Sequence, residues 1–310
     1  MSLTAIIPTY RSPEYLDLCL KSATQGRERS GVEITVIIDG YVEESMPVVE
    51  KYEDINVIPF SENKGMSYAI NVGVYNAETP FVFVLNDDNI FGPKWDEIAD
   101  VASHNRVVTV NQIEPAAGIY GFVVKDFGRT ADTFDFEEWW KYEPTVSSQE
   151  FTENGRIFPF IVSKKVFMNV GGFDLFYDSP FFVDLDFFLK LEMLKTLSFV
   201  RWHGNHLYHF GSIATKNRTD AEAMDFRRSE PIGAAQFQLL FVFDVSENLP
   251  AWTMLELAKS LLGKQIWFEI GGPRYTVAYV KSPLFGNIRI YKMLDDPTRP
   301  SGSSKESERD

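Results

Sequence analysis

An α/β fold with a mostly parallel sheet and helices on both faces is predicted by three observations. Short apolar runs alternate with segments of helical spacing. The runs end in turn-forming or acidic residues, as strands do where the chain leaves a sheet. The fourth run, residues 81–85, is apolar throughout, which suits a strand covered on both sides.

Residues 3–7 form the first predicted strand, stopped by Pro8. A helix over 13–22 follows, with Ser12 at its N-cap and Pro13 in the first turn, where a missing N–H costs little. Residues 33–38 are the second strand, closed by Asp39-Gly40; 46–52 are a helix and 56–60 the third strand. A helix over 64–76 follows the turn-forming Asn63. The fourth strand runs straight into Asn86-Asp87-Asp88-Asn89. Beyond Asp96 the alternation loosens. Strands are predicted over 107–112, 119–125, 157–163 and 198–202, with a short helix over 164–170 ended by Gly171-Gly172 and another helix over 183–194. Residues 130–154 read as mostly loop with one short helix. From about Asp220 a small α+β extension is predicted, with strands over 239–245, 265–270 and 275–280 and a helix over 251–262. Residues 296–310, rich in Pro, Ser and charge, read as a disordered tail.

A chain of 310 residues with 45% hydrophobic side chains can bury a substantial core in about two domains. Its net charge of −14 makes a poor surface for nucleic acid, whose binding draws on clustered Lys and Arg. Cys19 is the single cysteine, so neither an intrachain disulfide nor a cysteine zinc site is available. That fits a reducing compartment, and a cytoplasmic protein is expected. The N-terminus lacks the basic start and long apolar stretch of a signal peptide, and no apolar run approaches the roughly 20 residues that span a bilayer.

The first strand is not followed by G-x-G-x-x-G, and neither a phosphate-binding G-x-x-x-x-G-K-[ST] loop nor a G-x-S-x-G elbow occurs. Ligands of open α/β sheets sit beyond the carboxyl ends of the strands. This directs attention to Pro8-Thr9-Tyr10, Asp39-Gly40 and the acidic turn at 86–89. Adjacent buried carboxylates repel, and a divalent cation relieves that cost; hard oxygen ligands suit Mg²⁺ or Mn²⁺. An ordinary Asp-Asn turn is the competing reading of the same residues. A second acidic group spans Gly171-Gly172-Phe173-Asp174 and Asp184-Leu185-Asp186. Residues two apart on a helix point to different sides, so one carboxylate is free to act as a base while the other caps the helix; two simple helix-start acids are the bland alternative. In His203-x-x-His206-x-x-His209 the spacing admits one ligand histidine, not three. Trp139 and Trp140 suit either a sugar platform or packing under a loop.

These segments, taken together and in order, resemble family-2 glycosyltransferases of the GT-A fold, over roughly residues 3–212. Ile6-Ile7-Pro8-Thr9-Tyr10 is similar to the family's first-strand signature and Asp39-Gly40 to its second-strand acidic end. Asn63-Lys64-Gly65-Met66-Ser67-Tyr68-Ala69-Ile70-Asn71 resembles its Asn-x-Gly helix start. Leu85-Asn86-Asp87-Asp88 falls at its D-x-D motif, and Gly171 to Asp174 and Asp184 to Asp186 at its GGFD segment and acidic helix. Asn86 stands at the first D-x-D position, and Val183 where the family often has Glu.

The resemblance implies a Rossmann-like GT-A sheet. Residues 1–112 would be the nucleotide-sugar-binding half and 113–219 the acceptor and catalytic half of one domain, followed by the extension at 220–295. It implies an inverting, metal-assisted transfer from a nucleotide-diphosphate sugar to a glycan or other hydroxyl acceptor. Pro8, Thr9, Tyr10, Asp39, Asn63, Lys64, Asn86 and Asp87 would bind the donor nucleotide. Asp88, and His209 by similarity to a late histidine, would hold Mn²⁺ or Mg²⁺. Asp184 would be the base with Asp186 second, and Asp174, with Trp139 and Trp140 if exposed, would lie toward sugar or acceptor. A glycoside hydrolase would use two carboxylates without a nucleotide site, and a nucleotidyltransferase would need a Gly-rich basic first loop that is absent. A binding protein that has lost turnover would keep the nucleotide site alone. The extension suits either a dimer contact or an acceptor-docking element, and a homo-oligomer through it is a further expectation.

Overall fold

The structure, a computed structural model, describes residues 1–116, 123–153, 155–175, 177, 183–194 and 196–211, together with the backbone of three strands between 265 and 293. The chain divides into two compact units, Met1–Ala235 and Gln236–Asp310.

The first unit is built on one ten-stranded sheet. Its parallel part comprises β1 (Leu3–Thr9), β2 (Val32–Asp39), β3 (Ile55–Phe60) and β4 (Phe81–Val84), in spatial order β3-β2-β1-β4. Helices α1 (Pro13–Gln25), α2 (Val42–Val49) and α3 (Met66–Asn76) make the crossovers. Alternation along β1 sorts the faces. Leu3, Ala5 and Ile7 pack into the core under Leu16, Cys19 and Leu20 of α1. Ile6, with Ile37 of β2, faces α3 at Gly73, where a methyl group would stand 2.6 Å from the Ile37 Cδ1. Pro59 is tolerated because β3 is an edge strand.

The rest of the sheet mixes directions. It adds β5 (Asn89–Phe91), β6 (Arg106–Glu114), β7 (Val123–Val124), β8 (Phe151–Glu153), β9 (Phe160–Ser163) and β10 (Ser198–His209). β9 runs antiparallel between β4 and β6, β10 runs parallel to β6, and β5 and β8 pair antiparallel with β10. Three further helices belong here: α4 (Phe136–Val146), α5 (Lys164–Asn169) and α6 (Val183–Met193). The second unit contributes an antiparallel meander of β11 (Gln265–Glu269), β12 (Arg274–Ser282) and β13 (Gly286–Met293). Among the described residues no helix is long and apolar enough to cross a membrane.

Several expectations shift. α2 starts at Val42, not residue 46, and carries Pro47 inside; Glu43 and Glu44 in its first turn complement the helix dipole. β10 runs on to His209 instead of stopping at Trp202, because a bulge between Trp202 and His206 absorbs Gly204 and lets pairing with β6 resume. β9 is shorter than predicted, and of the strand expected over 119–125 only β7 lies within the described residues. β5, β8 and β13 were not anticipated. The strand expected over 239–245, the helix over 251–262 and the tail over 296–310 lie outside the described residues.

One buried side chain ties α3 to the loop that follows α5. Asn71 of α3 donates from Nδ2 to the Phe173 carbonyl at 2.8 Å and accepts the Phe173 N–H at 2.9 Å. Gly172, at φ +68, passes so close that a Cβ would lie 2.4 Å from the Asn71 Oδ1. Asn71→Ala removes both bonds at once and leaves buried backbone groups unmatched. It is expected to cost about 1–3 kcal/mol, read as a lower urea midpoint.

Candidate active site

Parallel β1, β2 and β4 end together, so Thr9, Asp39 and the 86–89 turn share one edge. The turn is closed by Asn89, fully buried, whose Oδ1 accepts the Asn86 N–H at 3.0 Å. Asp87 points inward. Its Oδ2 accepts from the Thr9 hydroxyl at 2.6 Å and from the Ser12 hydroxyl. Ser12 is the N-cap residue of α1, yet its side chain makes no cap bond; the hydroxyl is diverted to Asp87. Burial, then the neighbouring Asp88 charge, pushes the Asp87 carboxyl up to about 7 against these donors. Thr9 and Asp87, expected to meet the nucleotide, therefore engage each other and fix the loop that carries Pro8, buried, and Tyr10, half-buried.

Asp39 works the same way one strand over. Its buried carboxylate accepts from the Lys64 N–H at 2.6 Å, the Gly65 N–H at 2.9 Å and the Asn63 Nδ2 at 3.1 Å. Burial raises its pKa and these bonds oppose the rise. Asn63 and Lys64 are exposed at the rim, with the Lys64 ammonium paired to Glu62. Above them Tyr10 and Tyr41 meet edge to face with centroids 5.4 Å apart, and the Arg11 guanidinium sits 4.4 Å from the Tyr41 ring centre. Arg11 and Tyr41 both take the left-handed conformation, at φ 56 and 55, which non-glycine residues seldom do.

Asp88 follows Asp87 in the same turn. It is buried, and its Oδ1 has no hydrogen-bond partner among the described residues. Its Oδ2 lies 3.5 Å from the Nε2 of His209. On the other side of that ring, Nδ1 is 2.8 Å from Glu114 Oε1. His203 and His206 turn away from Asp88 and share Asn111, whose Nδ2 is 3.2 Å from the Nδ1 of one and the Nε2 of the other. Among the described residues no three metal-binding side chains close into a cage. A carboxylate oxygen in need of a partner beside an imidazole nitrogen nonetheless fits Mg²⁺ or Mn²⁺, which leave positions open for substrate phosphate.

The second acidic group separates into two roles. Asp186 of α6 is buried and ion-paired with Lys190 one turn on, at 2.6 Å. The Lys190 ammonium also lies 3.9 Å from Asp174 Oδ2 and donates to the Gly172 carbonyl at 3.2 Å. Burial alone would lower the Lys190 pKa, but Asp186 and Asp174 outweigh it and hold the ammonium above its ordinary value. Burial, together with Asp174, raises Asp186, so one buried cation is shared by two carboxyls. Asp184 stands apart. It is half-buried in the first turn of α6, accepts the Leu185 N–H at 2.9 Å, and meets no ion pair among the described residues. Burial raises its pKa.

Trp139 is not placed to meet a sugar, and Trp140 is half-buried. Trp139 is fully buried against Phe127 and Tyr208, and both indole N–H groups donate to the Phe91 carbonyl, at 3.0 and 3.2 Å. Trp140 stacks on Phe136 at 5.1 Å.

Residues 4–158, half of the 310-residue chain, match glycosyl transferase family 2. The chain belongs to that family. A curated relative, the teichoic acid poly(glycerol phosphate) polymerase of Staphylococcus epidermidis, is 29% identical over 105 residues, which is 32% of this chain and 14% of the length of that polymerase. Solved structures share the fold. S. aureus TarS 1–349 superposes at a TM-score of 0.50 with 17% identity, over 83% of this chain and 69% of that one. TarS 1–349 in complex with UDP-GlcNAc superposes at 0.50 with 18% identity, over 84% and 72%.

In this family-2 glycosyltransferase four supporting residues escape sequence reasoning. Ser12 reads only as a helix cap and Asn71 as one more helix residue. Glu114 offers no signal at all. Lys190 had one: a lysine four residues after Asp186, set among Phe187, Phe188, Leu189 and Leu191, is a charge on an apolar helix face and so calls for a buried partner.

Proposed function

We propose that the chain transfers a sugar from a nucleotide-diphosphate donor to an acceptor hydroxyl with inversion at the anomeric carbon. The observation that carries this reading is Asp88: a buried carboxylate, one oxygen without a partner, beside His209 at the sheet edge where the family binds its donor. Asp88 and His209 would hold Mg²⁺ or Mn²⁺, which would neutralise the charge growing on the leaving diphosphate. Tyr10, Asn63 and Lys64, set by the bonds of Asp87 and Asp39, would line the nucleoside and ribose side. Asp184 would accept the acceptor hydroxyl's proton as its oxygen bonds to the anomeric carbon; the bond from that carbon to the diphosphate breaks and its electron pair leaves with the diphosphate. Asp174, tied to Lys190, would stay close below the transferred sugar.

The TarS complex with UDP-GlcNAc makes UDP the first nucleotide to test. Calorimetry of the whole chain with UDP, GDP and dTDP, with and without Mn²⁺, is expected to show metal-dependent binding of one of them. Asp88→Ala is expected to abolish it and to lower turnover by about 10³-fold or more, the equivalent of the several kcal/mol a metal supplies. If no nucleotide binds under either condition, the proposed donor-dependent transfer fails.

A further inference from the structure

We propose that Glu114 is a positioning residue: it locks the His209 imidazole in the tautomer and orientation that present Nε2 to a cation held with Asp88. This deepens the metal-assisted reading above and rests on it.

The geometry follows from the ladder. Glu114 ends β6 and His209 ends β10, and these strands run parallel with Ile113 opposite Tyr208. The two side chains therefore leave neighbouring strand ends side by side. The Glu114 backbone is held in turn, its carbonyl accepting the Lys125 N–H at 3.0 Å. A carboxylate 2.8 Å from Nδ1 accepts a proton carried on that nitrogen and has nothing to offer a bare one. The Nδ1–H form leaves the Nε2 lone pair unprotonated, 3.5 Å from Asp88 Oδ2. Histidine ligands are commonly oriented by a carboxylate on their other ring nitrogen, and loss of such a partner weakens metal binding. Glu114 and the imidazole are both mostly covered, so water competes poorly for the bond.

The test uses the full chain with ¹⁵N-labelled histidine, and His209→Ala identifies the signal among the four histidines. At about pH 8, above the ordinary histidine range, wild-type His209 is expected to carry its proton on Nδ1. Glu114→Ala is expected to move the proton predominantly to Nε2, and Glu114→Gln, whose carbonyl still accepts, to keep it on Nδ1. Mn²⁺ affinity, read by electron paramagnetic resonance of the free ion, is expected to fall about 10–100-fold in Glu114→Ala and to recover most of that in Glu114→Gln. Adding His209→Ala to Glu114→Ala should cost nothing more than His209→Ala alone. A wild-type His209 protonated on Nε2, or unchanged Mn²⁺ affinity in Glu114→Ala, overturns the proposal. The control is Asp88→Ala. If it abolishes Mn²⁺ binding while Glu114→Ala does not weaken it, only the role of Glu114 fails. If Asp88→Ala itself leaves Mn²⁺ binding unchanged, the metal reading fails and takes this proposal with it.

Discussion

Asp184→Asn is expected to lower turnover by about 10²–10⁴-fold, the range a positioned general base supplies, while metal-dependent nucleotide affinity and the unfolding midpoint stay where they are. The argument is one of availability. Asp186 is bound to Lys190 and Asp174 sits on the same cation, whereas Asp184, half-buried at the start of α6, accepts the local Leu185 N–H and has no ion pair among the described residues. The pH profile adds a second readout. Burial raises the Asp184 pKa, and the carboxylate is the active form, so activity should fall on acidification at a higher pH than an ordinary aspartate would give. An unchanged rate in Asp184→Asn, with a large loss in Asp186→Asn at intact stability, would exchange the two roles.

Lys190→Met is expected to destabilise the fold by about 3–5 kcal/mol, because it removes a buried cation that two buried carboxyls share. The loss should depend on pH, and its sign follows from linkage. Without the ammonium, burial holds the Asp186 carboxyl still further above its unfolded value, so between those two values the folded chain binds more protons than the unfolded one. Stability then falls as pH rises through that window. Urea unfolding at about pH 5.5 and pH 8 should give midpoints that diverge more for the variant than for the wild type. Equal losses at both pH values would mean that packing, not charge, is what Lys190 provides.

The parallel half of the fold was legible because β1, β2 and β4 are almost wholly buried and read as mainly apolar runs, falling where residues 3–7, 33–38 and 81–85 place them. The later half resisted for a local reason. β10 contains Trp202, His203, Gly204, Asn205 and His206, a stretch with neither strand alternation nor an apolar run, and its continuation past the bulge is owed to β6 and β5 on either side. α2 resisted because Pro47 lies inside it, so the helix expected over 46–52 in fact starts at Val42. In the site, residue identity at the strand ends was readable, but direction was not. Nothing in Asn86-Asp87-Asp88-Asn89 says that Asp87 turns in toward Ser12 while Asp88 keeps an oxygen for something else. Likewise Trp139 and Trp140 carry the same composition whether they face sugar or the Phe91 carbonyl.

Asn89 stands opposite His209 in the antiparallel ladder of β5 and β10, and Asp88 immediately precedes Asn89. The separation between the two donor side chains is therefore set by the sheet's own repeat and not by the length of any loop. Chain-length changes can be taken up upstream, at the bulge before His206, without being felt there. A slip of one residue beyond the bulge would instead turn position 209 to the opposite face and erase the pairing outright. The only gradual way to retune such a site is to exchange the donor atoms themselves, so related chains should differ at these positions in chemistry while keeping the spacing.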